Sequence, residues 1–298
     1  MLLAAIVTAC LLAPFYARYI AGSDPFRSNA DGQITQDGRR VDVLGNNTAG
    51  LGLGVTPIGP TWRGAYFLGA DGQGRDIAAR LLYGGRTSLL IASTATAICL
   101  LAAAFVGTVA GYLGGAVDAA LAWLLDLLWA FPVYLLAISL SIVLLSQSLH
   151  LGPITVAADS LALPIAILGI VYVPYVARPV RREVIVLRET EFVLAAIALG
   201  APARHILRRH ILPHLATTLL VLAPVVMAMT LLTEAALSVL SIGVQAPAAS
   251  WGTLIGDGQT LIYTRPIVAL APGVAVLLTV LPLNLLAERL RAALDPRS

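Results

Sequence analysis

The chain has 298 residues, 58% of them hydrophobic and 12% charged, with a formal charge of +3. One soluble core of this length cannot hide so much apolar side chain, so composition predicts a polytopic membrane protein, all-α in fold class. All 19 basic residues are Arg; without Lys there is no GxxxxGK[ST] phosphate loop, no pyridoxal Schiff base and no Ser-Lys dyad, so any ATP must be spent by another chain.

A hydrocarbon core about 30 Å thick requires roughly 20 apolar helical residues, and about six transmembrane helices are predicted, near 2–17, 87–113, 118–147, 161–178, 215–240 and 267–287. The first reads as an anchor helix over 1–17. Its residues 7–10, Val-Thr-Ala-Cys, weakly resemble a lipoprotein cleavage box, but no basic leader precedes them. Segment 18–86 is rich in Gly, Pro and Asn, which predicts irregular loop; it carries eight Arg, but segments longer than about 60 residues cross largely regardless of charge, so it is expected outside. From Asp76 to Leu90 apolar residues alternate with Arg80 and Arg86; this suits either an interfacial helix or the polar end of the next span. The remaining core is 87–298. Small residues from Ala102 to Gly111 predict close helix contact, and Pro132, Pro174, Pro224 and Pro272 predict bends. Cys10 and Cys99 lie in apolar runs and read as buried small hydrophobes.

Arg is retained near helix ends on the cytoplasmic side. Residues 178–214 carry seven Arg against three Glu, and Arg289, Arg291 and Arg297 follow the last span. Both termini and the 178–214 loop are therefore expected to be cytoplasmic.

That loop has its own pattern. Glu191 to Leu199 predicts a short apolar helix, Gly200 a sharp change of direction, and Pro202 the first turn of a second helix running from Ala203 to Leu212 and stopping at Pro213. Arg204, His205, Arg208 and Arg209 form its basic side, while Ile206, Leu207 and Ile211 are left for packing. The arginines fit two readings: a knob that docks on a cytoplasmic motor, or a set that obeys topology and binds anionic headgroups.

Ala195, Ala196, Gly200, Leu212 and Pro213 fall in register with the EAA loop of ABC importer permeases, which the segment resembles. Leu194 stands where that motif has Glu and His210 where it has Ile; Glu191 lies nearby on a different helical face. Phe67-Leu-Gly-Ala-Asp-Gly-Gln-Gly-Arg-Asp76, Arg80-Leu-Leu-Tyr-Gly-Gly-Arg-Thr-Ser-Leu89, Glu234-Ala-Ala-Leu-Ser-Val-Leu-Ser-Ile-Gly243, Ser250-Trp-Gly252 and Leu290-Arg-Ala-Ala-Leu-Asp-Pro-Arg297 are similar to the C-type permease subunits of dipeptide and oligopeptide importers.

The resemblance implies an ABC importer permease fold in the bacterial plasma (inner) membrane. It implies as partners a second related permease, two cytoplasmic ATPases, an extracytoplasmic solute-binding protein and the lipid bilayer, with no nucleic acid. ATP and Mg would sit on the ATPases and no cofactor in this chain, which would be non-catalytic. The loop 183–213 would couple the chain to the ATPases through Glu191, Ala195, Ala196, Gly200, Arg204, Arg208, Leu212 and Pro213. Peptides are the leading substrate class; nickel, glutathione and other small solutes share this subunit type.

Two ionisable residues inside predicted spans, Asp126 and Glu234, read either as cavity lining or as interhelical ties. Asp118, at a helix start, is accounted for by the helix dipole. An ion-coupled secondary transporter using Asp126 and Glu234 is the main rival. An intramembrane hydrolase lacks its motifs, HExxH, GxGD and GxSxG. The four histidines stand at loops or helix ends, unsuited to paired haem ligation within a bundle.

Overall fold

The computed structural model describes residues 1–36, 39–46, 55–145, 149–151, 154–156 and 160–294. Its first apolar passage is helix α1 (Leu2–Leu11) followed by α2 (Ala13–Phe15) and a π-helical turn, Tyr16–Ala21, with a 48° bend between the halves. Instead of a straight anchor over 2–17, the passage kinks at Leu12 because Pro14 falls in the first turn of the second half, where its missing donor is tolerated. Gly22, at φ 61°, ends it.

The next segment was expected to be irregular, but it holds two antiparallel hairpins. Strand β1 (Gln33–Gln36) pairs with β2 (Arg39–Asp42), and β3 (Leu44–Asn46) with β4 (Val55–Pro57). Two-stranded ribbons are marginal alone. Here Ile34 faces Val41 across the register, and both pack against buried Val43, Ile58, Tyr66 and Ala70.

Helix α3 (Ile77–Leu113) runs 37 residues without a break. Of the two readings of 76–90, an interfacial helix or the polar end of the next span, the segment matches the second: it is the first part of α3, with Ile77, Ala79 and Ile91 fully buried and Arg80 2% exposed. Asp76 starts it as an N-cap does, its Oδ1 accepting the Ala79 N–H at 3.0 Å while Oδ2 accepts from Tyr66 N at 2.6 Å. Burial pushes the Asp76 carboxyl above its ordinary range, and these backbone donors pull it back.

The span expected over 118–147 is two helices, α4 (Gly115–Ala130) and α5 (Val133–Leu145), meeting at 90°. Pro132 forces the preceding Phe131 into extended backbone, φ −89° and ψ 136°, which breaks the helix outright. A third hairpin, β5 (Leu149–Leu151) with β6 (Ile154–Val156), follows. Helices α6 (Ala162–Val171) and α7 (Val173–Arg188) form a pair bent by 41°, so the passage expected to stop near 178 carries on through its arginines. Then come α8 (Glu191–Ala198), α9 (Ala203–Ile206), a π-helical turn (Leu207–Ile211), α10 (Leu212–Val239), α11 (Trp251–Gln259) and α12 (Ile267–Leu294). Pro224 lies inside α10, and Pro272 and Pro282 inside α12; neither helix breaks there. Among the described residues three helices are long and apolar enough to cross a membrane, or six passages if each bent pair counts as one.

The chain divides into two compact units, Met1–Ile91 with Leu231–Pro282, and Ala92–Thr230 with Leu283–Ser298. In the first, Trp251 is 1% exposed and its Nε1 donates to Leu81 O at 3.0 Å. Ser250 caps α11 through a reciprocal pair of hydrogen bonds with Thr253. A side chain on Gly85 would strike that indole.

In the second unit α3 and α7 touch through small residues. A Cβ on Gly107 would stand 2.8 Å from Ala177 O, and one on Gly111 2.8 Å from Arg181 O. The core beside them holds Cys99, Ala103, Val176, Val180, Val184 and Leu215. Gly107→Ala is therefore expected to cost about 1–3 kcal/mol by overpacking, read as a lowered Tm in detergent. Gly273→Ala, where the added carbon meets nothing within 4 Å, should not lower it; equal Tm values for the two variants would refute the close contact.

Candidate functional site

The segment after α7 builds a largely exposed corner in the second unit. Thr190, in extended backbone, starts α8. Of that helix only Val193 is fully buried; Ala196 is half-buried and packs on the same core. Glu191, Leu194, Ala195, Ile197 and Leu199 are exposed. The helix ends in a Schellman motif: Gly200 sits at φ 78°, its N–H donates to Ile197 O at 2.9 Å, and Ala201 N donates to Ala196 O at 3.0 Å. The positive φ is what Gly supplies here, because a Cβ on it would meet nothing within 4 Å.

Pro202, expected in the first turn of the second helix, is instead its N-cap, with φ −65° and ψ 148°. Nor does that helix stop at Pro213. Helix α9, the π turn and α10 form one continuous helix from Ala203 to Val239 that contains an apolar span, with Pro213 in the first turn of α10. The π turn directly before the proline shifts the hydrogen-bond register where an α-helix would have needed its missing N–H.

Ile206 and Ile211 are buried, as packing residues should be. Arg204 and Arg208 are brought together with Pro202, His205 and Arg209 around an open hollow of about 730 Å³. Leu212 and Pro213 are exposed one turn further on. An aromatic bridge that pattern reasoning missed spans the bend: the Phe192 ring stacks on His214 at 5.7 Å and lies 5.9 Å from His210. The sequence signal was there in the i, i+4 spacing of the two histidines.

Asp126 belongs to the second unit and Glu234 to the first. Asp126 is exposed and paired with Arg178, Oδ1 to Nη2 at 2.7 Å. Glu234 is fully buried; its carboxylate accepts from Ser88 Oγ at 2.9 Å and from Ser238 Oγ at 2.8 Å. Ser88 Oγ in turn accepts from Trp251 N, and Ser238 Oγ from Val244 N, both at 3.1 Å. Glu234 thus ties α3 and α10 to the start of α11. Asp118 is clasped by Arg181 through two hydrogen bonds. Among the described residues no set of three His, Cys, Asp or Glu converges closely enough to hold a metal ion.

A second charged cluster escaped the sequence reading. In the first unit Arg75 Nε meets Asp71 Oδ2 at 2.7 Å, and Arg75 Nη2 and Arg80 Nη2 each meet Asp257 Oδ2 at 3.1 Å. Arg80 Nη1 donates to Pro25 O, and its Nε, 3.4 Å from Asp71 Oδ2, makes no hydrogen bond. Beside this cluster Tyr66 OH donates to Gly74 O and accepts from Asn29 Nδ2; burial pushes that phenol above its ordinary range and keeps it a donor.

The model of the family described as "Binding-protein-dependent transport system inner membrane component" matches residues 103–298. The chain belongs to that family. This permease is 37% identical over 232 residues to the dipeptide transport system permease protein DppC of Alkalihalophilus pseudofirmus, covering 78% of this chain and 72% of that one. It is 34% identical to the oligopeptide transport system permease protein OppC of Haemophilus influenzae, covering 80% and 72%. It is also 34% identical to the glutathione transport system permease protein GsiD of Pectobacterium atrosepticum, covering 78% and 73%. In fold the permease is similar to a chain of the inward-facing MetNI methionine ABC transporter, with a TM-score of 0.56, 17% identity, and 72% of this chain and 95% of that chain covered.

Proposed function

We propose that this permease forms, with a second related permease, the membrane path for peptides in an ATP-driven importer, and that the corner over 183–213 meets the ATPases. The observation that carries the reading is the bent helix pair itself. Its apolar side is anchored by Val193, Ile206 and Ile211, while the basic side with Arg204 and Arg208 is bare. The chain also lacks any Lys for a phosphate loop, so ATP and Mg belong on partner ATPases and this subunit is non-catalytic.

In this scheme ATP-driven closure of the two motors draws the two corners together and opens the path outward, where a solute-binding protein delivers its ligand. Both termini and the corner face the cytoplasm, and the hairpin segment faces outward. The dipeptide and oligopeptide permeases among its relatives favour peptides; the glutathione permease marks the competing substrate. Family membership supports ATP-driven import over ion coupling.

The test is affinity purification of the tagged chain in mild detergent, with mass spectrometry of what co-purifies. A second permease and two ATPases are expected, together with ATP-dependent uptake of labelled dipeptide into proteoliposomes. A chain that purifies without any ATPase, or uptake that follows an ion gradient without ATP, would overturn the proposal; uptake of glutathione and not dipeptide would overturn its substrate.

A further inference from the structure

The cleft between α4 and α7, in the second unit, has a cavity of about 290 Å³ lined by Ala122, Leu125, Asp126, Arg178, Arg181 and Arg182. Its two carboxylate-bearing partners are already engaged: Asp126 holds Arg178 at 2.7 Å, and Asp118 holds Arg181. Arg182 is exposed and has no ion-pair or hydrogen-bond partner among the described residues. Three guanidiniums face two carboxylates, which leaves one positive charge in surplus. Arg178 and Arg182 are one helical turn apart and so project from the same side of α7.

The position of this surplus matters. Trp129 stacks on Tyr175 at 6.3 Å, and the Arg178 guanidinium lies 5.3 Å from the Trp129 ring centre. Before this level α6 and the start of α7 are apolar; beyond it α7 carries Arg178, Arg181, Arg182 and Arg188. Trp and Tyr collect where hydrocarbon gives way to headgroups. On the flank of α4 next to the cavity, Trp123 and Leu127 are exposed, as acyl chains require.

We propose that this cleft binds the phosphodiester of an anionic phospholipid, with Arg178 and Arg182 holding the phosphate oxygens and Trp123 and Leu127 lying along an acyl chain. One phosphodiester charge neutralises the one charge in surplus. The ion pairs with Asp118 and Asp126 fix Arg181 and Arg178 in advance, so little side-chain freedom is lost on binding.

Native mass spectrometry of the complex containing the full chain, titrated with phosphatidylglycerol or phosphatidylcholine of matched acyl chains, tests this. Phosphatidylglycerol is expected to be retained about tenfold more strongly. Arg182→Gln should weaken it about fivefold, following the ~1 kcal/mol per basic residue found at anionic surfaces, and leave phosphatidylcholine unchanged. Arg182→Lys should keep most of the preference, and Arg40→Gln, exposed on β2, all of it. Equal retention of the two lipids, or of phosphatidylglycerol by the wild type and Arg182→Gln, would overturn the site. Displacement of phosphatidylglycerol by excess inorganic phosphate would assign the cleft to a free anion and overturn the lipid.

Discussion

Gly200→Pro is expected to abolish substrate-stimulated ATP hydrolysis and to lower uptake by more than tenfold, while the rest of the permease keeps its Tm. Proline fixes φ near −65°, against the 78° of Gly200, and it removes the N–H that donates to Ile197 O. Each loss opens the Schellman turn, at a combined cost of about 3 kcal/mol or more. Because a side chain at this position meets nothing within 4 Å, the damage is confined to the direction of the chain. Gly200→Ala, which strains φ by about 1–2 kcal/mol, should fall between, and Gly200→Asn closer to wild type. Reconstituted complexes measured for ATP hydrolysis and uptake decide the matter: full coupling in the proline variant would mean the bend carries nothing.

Asp71→Ala should destabilise the first unit by about 3–5 kcal/mol. The Asp71 side chain is 1% exposed and holds Arg75 and Arg80, themselves 7% and 2% exposed. Its Oδ1 also accepts from Gln73 N and Arg75 N. Without it Asp257, whose side chain is 40% exposed and so screened by water, is the one carboxylate left to the two buried guanidiniums among the described residues. Asp257→Ala should cost visibly less for the same reason. Thermal unfolding of the purified variants gives the order; an Asp71→Ala protein as stable as Asp257→Ala would show the buried pair to be a bystander.

What could be read in advance was local. Ala195, Ala196 and Gly200 lie within six residues of one another, and helix pattern with glycine chemistry suffices to place a short helix and a sharp turn there. The apolar passages were legible for the same reason, since each is a contiguous run. Their continuity was not. Pro132 and Pro213 look alike on paper, yet Phe131 goes extended before one and a π turn takes up the other, and that choice depends on the neighbours each helix packs against. The choice between the two readings of 76–90 turned on Arg80, whose partner Asp257 stands 177 residues away. Hydropathy sees a charge and puts it in water, whereas a matching charge from distant sequence lets it be buried.

Phe192, stacked on His214 and tilted against His210, turns the corner from a hairpin with two free arms into a closed triangle. An open bend takes up part of any push as splay, the backlash of a worn gear. With Gly200 at the apex and the ring contacts across the mouth, a push on the tip would have to break those contacts before the two arms could spread.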